Sequence, residues 1–330
     1  MATSSTAPAP PPRILLVGAG SVGQVYGRHL QEGGAHVAFY VREKYAAQAR
    51  GGFPMILVNR GPTVARFQPD EVLTSLEQVR AARWDQVWLC ISSTALLGDW
   101  LGPLVQAAGE ARLVSFQPGL RDGELVAAHL PPERVVKGLI AFSSWHSPLN
   151  AQDRLPAGMA YWFPPLSPCL FEGEGAAFIV TLLRRGGLPA RVGPAQATTA
   201  RGSAFLLPTV AALECAGWTF AGLREGPWSA LAADAAKEAM AIAAAHLSIG
   251  KGPMGALANG CMVRLASRAA PVVAPFDIEA FLRAHFEKVG DQTELALDTW
   301  ITEGQSRGLP VSRITELAAA LRAHRAAAAG

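Results

Sequence analysis

The chain has few cysteines, little charge and no long uninterrupted apolar segment. Its four cysteines (Cys90, Cys169, Cys215 and Cys261) are far apart and form no CxxC pair, so neither a zinc site nor a disulfide framework is expected. Only 17% of the residues are charged and the formal net charge is +3, which is too small to indicate nucleic-acid binding. No run of about 18 uncharged, strongly apolar residues occurs, so no membrane span is expected. These absences favour a protein of the reducing cytoplasm.

Apolar sequence, by contrast, is abundant. Half of the 330 residues are hydrophobic, which is enough to bury a sizeable core, and the length suits one large or two ordinary domains. Residues 1–12 are rich in Ala, Ser, Thr and Pro and contain no apolar core of a signal peptide. They are therefore predicted to form a flexible tail.

Three glycines after the first apolar run form the most informative pattern. Residues 14–23 predict a strand, a tight turn and the start of a helix. Such a turn places a dinucleotide pyrophosphate on a helix N-terminus, although it can also form without a ligand. The residues expected to bind the cofactor here are Gly18, Gly20, Ser21, Val22 and Gly23.

The residue after the second predicted strand indicates which dinucleotide is bound. Arg42 stands where an NAD site usually has Asp or Glu to accept hydrogen bonds from the ribose 2′-hydroxyl. A guanidinium at this place would instead pair with a 2′-phosphate. We therefore expect NADP(H), the alternative being that Arg42 is a solvated charge at a strand end.

Apolar runs and helical periodicity alternate through the first 190 residues, which implies right-handed crossovers and a parallel sheet. Residues 143–175 are expected to form the last, antiparallel strands of this sheet. From about Ala195 the periodicity is almost entirely helical. The predicted fold is thus α/β, with an N-terminal Rossmann-type doubly wound sheet (residues 13–193) followed by an all-α C-terminal domain (residues 194–330). The candidate helices of that domain are Thr198–Ala216, Pro227–Leu247, Pro253–Arg268, Asp277–Phe286, Thr293–Arg307 and Ser312–Ala328.

The order of these patterns resembles the ketopantoate reductase (2-dehydropantoate 2-reductase) family over roughly residues 13 to 325. The glycine turn and Arg42 carry part of the resemblance, and so does the stretch Phe286–Glu294, which is followed by a helix and Gly308-Leu-Pro-Val311. In that family a Thr-Glu pair opens a late helix and its glutamate faces the active site. The resemblance implies that Glu294 has this position.

The chain also departs from the family. Ser92 and Ser93 stand where the family usually has a lysine, and Gln117-Pro118-Gly119 replaces an Asn-Gly pair. The family's catalytic lysine and two asparagines lie on the first helix of the second domain. The matching positions here are about Thr199, Ser203 and Leu207, so no lysine is present there. This argues against ketopantoate as the substrate.

Reduction of a carbonyl or imine needs a group that protonates or polarises the heteroatom. His146 has a suitable pKa for this task, and Arg201 with Ser203 opens the helix that bears the family's lysine. Ser92, Ser93, Gln117 and Gly119 follow strands whose carboxyl ends line the ligand crevice of such sheets, so they are further candidates for binding the cofactor and their donors could replace the missing side chains. The catalytic candidates are Glu294, His146, Arg201 and Ser203.

Two functions remain open at this point. The first is an NADPH-dependent reductase that acts on a small carbonyl or imine substrate other than ketopantoate. The second is a non-catalytic NADP(H)-binding sensor or scaffold, which the missing lysine would explain. No metal, nucleic-acid or membrane partner is expected, and the alanine-rich helical domain could pack as a homodimer.

Overall fold

A computed structural model describes residues 10–250 and 258–329. Within these residues the chain forms twelve strands and thirteen α-helices. The strands are β1 (Arg13–Val17), β2 (His36–Tyr40), β3 (Phe53–Leu57), β4 (Thr63–Phe67), β5 (Glu71–Leu73), β6 (Gln86–Leu89), β7 (Arg112–Ser115), β8 (Val135–Leu139), β9 (Ser143–Ser147), β10 (Gly158–Trp162), β11 (Cys169–Glu172) and β12 (Ala190–Val192).

The helices divide into six that accompany the strands and seven that follow them. The first six are α1 (Ser21–Glu32), α2 (Ala46–Arg50), α3 (Leu76–Arg80), α4 (Leu101–Ala108), α5 (Asp122–Ala127) and α6 (Ala176–Arg185). The others are α7 (Ala195–Cys215), α8 (Phe220–Arg224), α9 (Trp228–His246), α10 (Gly260–Val273), α11 (Ile278–Lys288), α12 (Gly290–Ser306) and α13 (Ser312–Ala329). Short 3-10 helices occupy Glu43–Tyr45, Ser93–Leu97 and Pro132–Arg134.

Eight strands form one sheet in the order β12-β11-β8-β7-β6-β1-β2-β5. The six strands from β8 to β5 are parallel, and β11 runs antiparallel to β8. Helices cover both faces, so a central strand is buried on both sides and its sequence is a continuous apolar run. Ile14, Leu15 and Leu16 of β1 are fully buried, as this requires. The predicted fold class, a doubly wound α/β sheet followed by helices, is confirmed.

A second sheet of four strands, in the order β4-β3-β10-β9, corrects one expectation. Of the strands in residues 143–175, only β11 joins the main sheet in an antiparallel orientation, whereas β9 and β10 pair with each other and β10 pairs with β3. The apolar pattern of a strand shows that it is buried, but its partner depends on which sheet edge is free. Here the β3–β4 hairpin provides that edge.

The last strand of the main sheet ends at Val192 and α7 begins at Ala195. α7 lies against β8 and packs along α9. Small residues allow the two helices to approach closely, because Ala232, Ala235, Ala236 and Ala239 of α9 are completely buried. Most predicted helices of this region agree with the observed ones to within a few residues. The start of the predicted helix Pro253–Arg268 and residues 1–9 of the predicted tail lie outside the described residues.

Two further properties concern only the residues that the structure describes. None of their helices is long and apolar enough to cross a membrane. No group of three or more His, Cys, Asp or Glu side chains among them is arranged to hold a metal ion.

The close contact between α7 and α9 leads to a stability prediction. Ala236→Leu should lower the free energy of unfolding by about 1–3 kcal/mol, because the larger side chain has no space in this tightly packed core. Ala319→Leu makes the same change at an exposed position of α13 and should alter stability by less than about 0.5 kcal/mol. Chemical denaturation of both variants measures the difference, and equal effects would contradict the packing described here.

Candidate functional site

The turn between β1 and α1 uses each of its three glycines differently. Gly18 has φ +95°, and a Cβ on it would lie 2.8 Å from the carbonyl oxygen of Cys90. A Cβ on Gly23 would lie 2.3 Å from the carbonyl oxygen of Gly18, so this glycine allows α1 to pack on the turn. Gly20 is exposed and a Cβ on it would meet no atom within 4 Å. The protein's own packing therefore leaves open space above Gly20.

That open space fits a dinucleotide pyrophosphate. α1 begins at Ser21, and Gly20 at its N-cap supplies no side-chain hydrogen bond to the first helical N–H groups. These unpaired N–H groups and the helix dipole favour an anion at this end of the helix. Ser21 and Val22 are partly buried in the first turn, beside the space. The residues of the turn thus match the geometry that a bound dinucleotide requires.

A small cationic patch follows β2. Arg42 Nη2 donates a hydrogen bond to Tyr45 Oη (3.2 Å), and its guanidinium carbon lies 5.1 Å from the centre of the Tyr45 ring. Lys44 Nζ lies 5.0 Å from the same ring, and its hydrogen bond is the main cause of the lowered pKa of Tyr45. Among the described residues, neither cation has an ion pair within 4.0 Å. Both charges are thus available to an anion, and sequence reasoning had not singled out Lys44.

The side-chain amide of Gln117 makes all its hydrogen bonds within the sheet. Its Nε2 donates to the carbonyl oxygens of Leu89 (2.8 Å) and Ile91 (2.9 Å). Its Oε1 accepts hydrogen bonds from Ser115 Oγ (2.9 Å) and Phe116 N (3.1 Å). Gln117 therefore ties the ends of β6 and β7 together. This differs from the expectation that its amide donors replace a missing ligand group, because neither donor is free.

The polar groups after β6 and β7 converge on a buried carboxylate that sequence reasoning missed. Asp122 Oδ2 accepts hydrogen bonds from Ser93 Oγ (2.6 Å) and from the backbone N–H of Gly119 (2.6 Å). Ser92 Oγ shares a hydrogen bond with Thr94 instead (2.9 Å). Burial raises the pKa of Asp122, and the two hydrogen bonds oppose that shift. The candidate residues Ser93 and Gly119 therefore hold Asp122 in place.

Lys137 on β8 is a second functional group that sequence reasoning missed. It is half-buried, and desolvation lowers its pKa while the negative charge of Asp122 opposes that change. The sequence feature that could have indicated Lys137 is its charge within the otherwise apolar strand Val135–Leu139. α7 lies against this strand and contributes to the partial burial of the side chain.

Two neighbouring cavities lie between the sheet and the helices that follow it, and both are bordered by Pro118, Gly119 and Leu120. The larger has a volume of about 310 Å³ and the smaller about 40 Å³. Aliphatic residues line part of the larger one, namely Leu97, Leu120, Leu125, Leu207, Leu295 and Ala296. Its polar and charged lining residues are Ser93, Arg121, Asp122, Glu124, Gln292 and Thr299. The smaller one is more polar and is lined by Ser115, Lys137, Gln196, Thr199 and Trp300 among others.

Glu294 faces away from both cavities. Its carboxylate pairs with Arg325 on α13, which also binds Glu214 on α7 through Nε (2.6 Å) and Nη2 (2.8 Å). The residue of α12 that reaches the sheet is Gln292, whose Oε1 accepts a hydrogen bond from Ser93 N (3.3 Å) and which borders the larger cavity. Glu294 lies on the opposite side of the helix because residues two positions apart point in different directions.

The other catalytic candidates are also dispersed. His146 lies within β9 and is exposed, and partial burial beside Lys288 lowers its pKa. Arg201 donates two hydrogen bonds to the carbonyl oxygen of Gly250, from Nε (3.1 Å) and Nη2 (2.7 Å). Ser203 is buried on α7, between the positions of Thr199 and Leu207. None of the three lines either cavity.

Comparisons with known proteins agree with this architecture. Residues 14–151 match the ApbA family model, described as ketopantoate reductase PanE/ApbA. The PanE/ApbA family ketopantoate reductase from Ralstonia eutropha is 17% identical with a TM-score of 0.72, over 94% of this chain and 98% of that one. The 2-dehydropantoate 2-reductase from Geobacter metallireducens is 18% identical with a TM-score of 0.71, over 94% of this chain and 99% of that one.

A third similar structure is that of a D-mandelate dehydrogenase with NADH and anilino(oxo)acetate. It is 13% identical with a TM-score of 0.69, over 96% of this chain and 98% of that one. No curated protein sequence matches the chain. The structures show the shared fold, and the family match confirms the resemblance to ketopantoate reductases that the sequence indicated.

The different roles of two glycines generate a paired prediction. Gly20→Ala should change the free energy of unfolding by less than about 1 kcal/mol, because its Cβ meets no atom, yet weaken dinucleotide binding at least about tenfold. Gly23→Ala should instead lower the free energy of unfolding by about 2 kcal/mol, because its Cβ would overlap the backbone. Thermal unfolding and calorimetric titration with NADPH test both. Unchanged affinity in a folded Gly20→Ala protein would contradict the site.

Proposed function

From the match of residues 14–151 to the ketopantoate reductase PanE/ApbA family model, we propose that this chain is an NADPH-dependent reductase of a carbonyl, or an imine, other than ketopantoate. The family match and the oxidoreductase neighbours support an NAD(P)-dependent reductase in general. The choice of NADPH and of the substrate class comes from this chain's own residues. The reaction would take place between the sheet and the helices that follow it, where the two cavities lie.

In this proposal, the glycine turn and the cationic patch bind the cofactor. Gly18, Gly20, Ser21, Val22 and Gly23 would hold the pyrophosphate at the start of α1. Arg42, with Lys44 beside it, would pair with the 2′-phosphate of NADPH, since a carboxylate that would bind a free 2′-hydroxyl is absent from this position. When bound, the reduced nicotinamide supplies the hydride of the reaction.

The larger cavity supports a substrate with an apolar substituent. Its volume of about 310 Å³ is at the lower end of the range for small-molecule sites. Leu207 lines it at a position that matches one of the family's polar residues. An apolar side chain there cannot hydrogen-bond the hydroxyl group of ketopantoate, and an unpaired substrate hydroxyl is costly to bury. This single replacement is the observation that most favours a different, less polar carbonyl compound.

The aromatic residues Trp145, Tyr161 and Trp162 do not contribute to the larger cavity. Trp145 and Trp162 pack with Phe276 and Phe281, whereas Tyr161 belongs to the core under the main sheet. None of them lines either cavity. The apolar lining of the larger cavity therefore comes from aliphatic residues.

A non-catalytic NADP(H)-binding protein is the competing function. It is favoured by the residues at the matching positions of α7, since Thr199, Ser203 and Leu207 include no strong proton donor. An assay of the purified protein with NADPH and a panel of 2-oxo acids, ketones and imines separates the two functions. Turnover of one class supports the reductase, and NADPH binding without turnover of any class supports the sensor or scaffold.

Arg42 provides a direct test of cofactor choice. Arg42→Ser should lower the preference for NADPH over NADH at least about tenfold, which corresponds to about 1.4 kcal/mol of lost pairing with the 2′-phosphate. Arg80→Ser removes an exposed arginine from α3 and should leave the preference unchanged. Calorimetric titration of both variants with the two cofactors measures the ratio. The same ratio in Arg42→Ser as in the unmodified protein would overturn the assignment.

A further inference from the structure

We propose that Lys137, on β8, is the proton donor of the reduction. The proposal rests on the reductase function above and supplies the acid that the first turns of α7 lack. In the family that the chain resembles, the catalytic lysine lies on the first helix of the second domain. Here the lysine would lie on a strand of the first domain, which lines the same small cavity as that helix.

The position of Lys137 in the sheet suits this role. Its register partner on β7 is Ser115, the last residue of that strand, so Lys137 stands at the level where the neighbouring strand ends. Ligands of open parallel sheets bind outside the carboxyl ends of the strands. A Cβ on Gly123 would lie at an ordinary contact distance of 3.5 Å from Lys137 Nζ, which places the first turn of α5 beside the amine.

Two polar groups at the cavity have no partner within the described part of the chain. Lys137 makes no hydrogen bond there and has no carboxylate within 4.0 Å of Nζ. Thr199 Oγ1, on the facing helix α7, is buried and has no hydrogen-bond partner. An unpaired buried hydroxyl is costly, and the same cavity is lined by an amine without a partner, so its two walls favour a polar group that binds between them.

The size of the small cavity restricts what can enter it. Its volume of about 40 Å³ exceeds the roughly 10–15 Å³ that one water molecule needs, and it is far smaller than the neighbouring cavity. It can hold a single oxygen- or nitrogen-bearing group, such as the end of a carbonyl or imine. The larger cavity shares Pro118, Gly119 and Leu120 with it and would take the apolar remainder of the substrate.

The charges around Lys137 favour proton transfer. Burial lowers its pKa, while the negative charge of Asp122 on α5 limits the shift. The register partner on β11 is Glu172, whose carboxylate accepts a hydrogen bond from Gln196 N (2.9 Å). On α9, His246 is paired with Glu303 (2.8 Å) and Glu124 (3.4 Å). A lysine with a lowered pKa releases its proton more readily than an exposed lysine.

The chemical step is a single proton transfer that accompanies the reduction. As the carbonyl carbon is reduced by the hydride, negative charge develops on the oxygen. The Nζ–H bond breaks and an O–H bond forms, and the electron pair of the N–H bond stays on the nitrogen. Lys137 is then a neutral amine, which regains a proton from water after the alcohol leaves. With an imine the same transfer yields an amine.

Asp122 is the alternative proton donor, and its hydrogen bonds argue for a positioning role. Its carboxylate accepts from both Ser93 Oγ and the N–H of Gly119, an arrangement that stabilises the charged form. A charged Asp122 keeps Lys137 protonated in the resting protein, because its negative charge favours the ammonium form. The two roles predict opposite behaviour of Asp122→Asn.

Kinetics with NADPH and a substrate from the panel test the proposal. Lys137→Met, of similar shape, should lower kcat about 100-fold or more while the affinity for NADPH stays within about threefold. Lys137→Arg keeps the charge but should also lose activity, because the guanidinium does not release a proton. Lys237→Met removes an exposed lysine paired with Asp234 on α9 and should leave kcat unchanged.

The pH dependence separates Lys137 from Asp122. A donor must be protonated, so kcat should fall as the pH rises through the lowered pKa of Lys137, and Lys137→Met should lose this basic limb. Asp122→Asn should move the limb to lower pH and retain activity, because the charge that favours the ammonium is gone. Loss of activity in Asp122→Asn with a normal profile in Lys137→Met would assign the proton to Asp122 and overturn the proposal.

A measurement without cofactor or substrate completes the test. The chain has only five lysines (Lys44, Lys137, Lys237, Lys251 and Lys288), so their ¹³C-dimethylated amines give a simple NMR spectrum. The signal absent from the spectrum of Lys137→Met should titrate at a lower pH than a solvated lysine side chain, because burial lowers the pKa of Lys137. A titration of this signal at the pH of a solvated lysine side chain would contradict the proposal.

The outcomes also distinguish this inference from the function on which it rests. Turnover that persists within about threefold in Lys137→Met would reject Lys137 and leave the reductase intact. Absence of turnover in the unmodified protein with every substrate class would reject the reductase, and the proton-donor role with it. Loss of activity in both Lys137→Met and Lys137→Arg, together with the shifted NMR titration, would establish the role.

Discussion

The packing of α7 against β8 is the contact on which the candidate site depends. It covers β8 beside β7, so that Thr199 and Lys137 line the same small cavity. Small side chains permit this approach, because Ala195 and Ala204 of α7 are completely buried. Without α7 the lysine would be solvated and would have the ordinary properties of a surface residue.

Buried hydrogen bonds make the loops at this edge rigid. Gln117 joins the ends of β6 and β7 through four hydrogen bonds, and Asp122 joins Ser93 to Gly119. A fully paired polar network has one preferred arrangement, because any displacement leaves a buried group unpaired. The two loops thus border both cavities in one fixed arrangement, and substrate binding need not order them.

Sequence reasoning predicted the features that depend on neighbouring residues. The glycine spacing gave the turn before α1, the apolar runs gave the parallel strands, and the helical periodicity gave α7, α9 and α13 nearly to their ends. It was less successful where distant segments meet. β9 and β10 joined a second sheet, since a strand's own pattern does not identify its partner.

The candidate site shows the same division. Gly18, Gly20, Gly23 and Arg42 form a local constellation, so their sequence alone indicated a dinucleotide site and the kind of cofactor. The roles of Lys137, Asp122 and Glu294 depend on burial and on partners far away in the chain. Lys137 is covered by α7, and Glu294 is turned towards Arg325. Desolvation and charge pairing over such distances are properties of the packed structure, and only the tertiary structure could decide them.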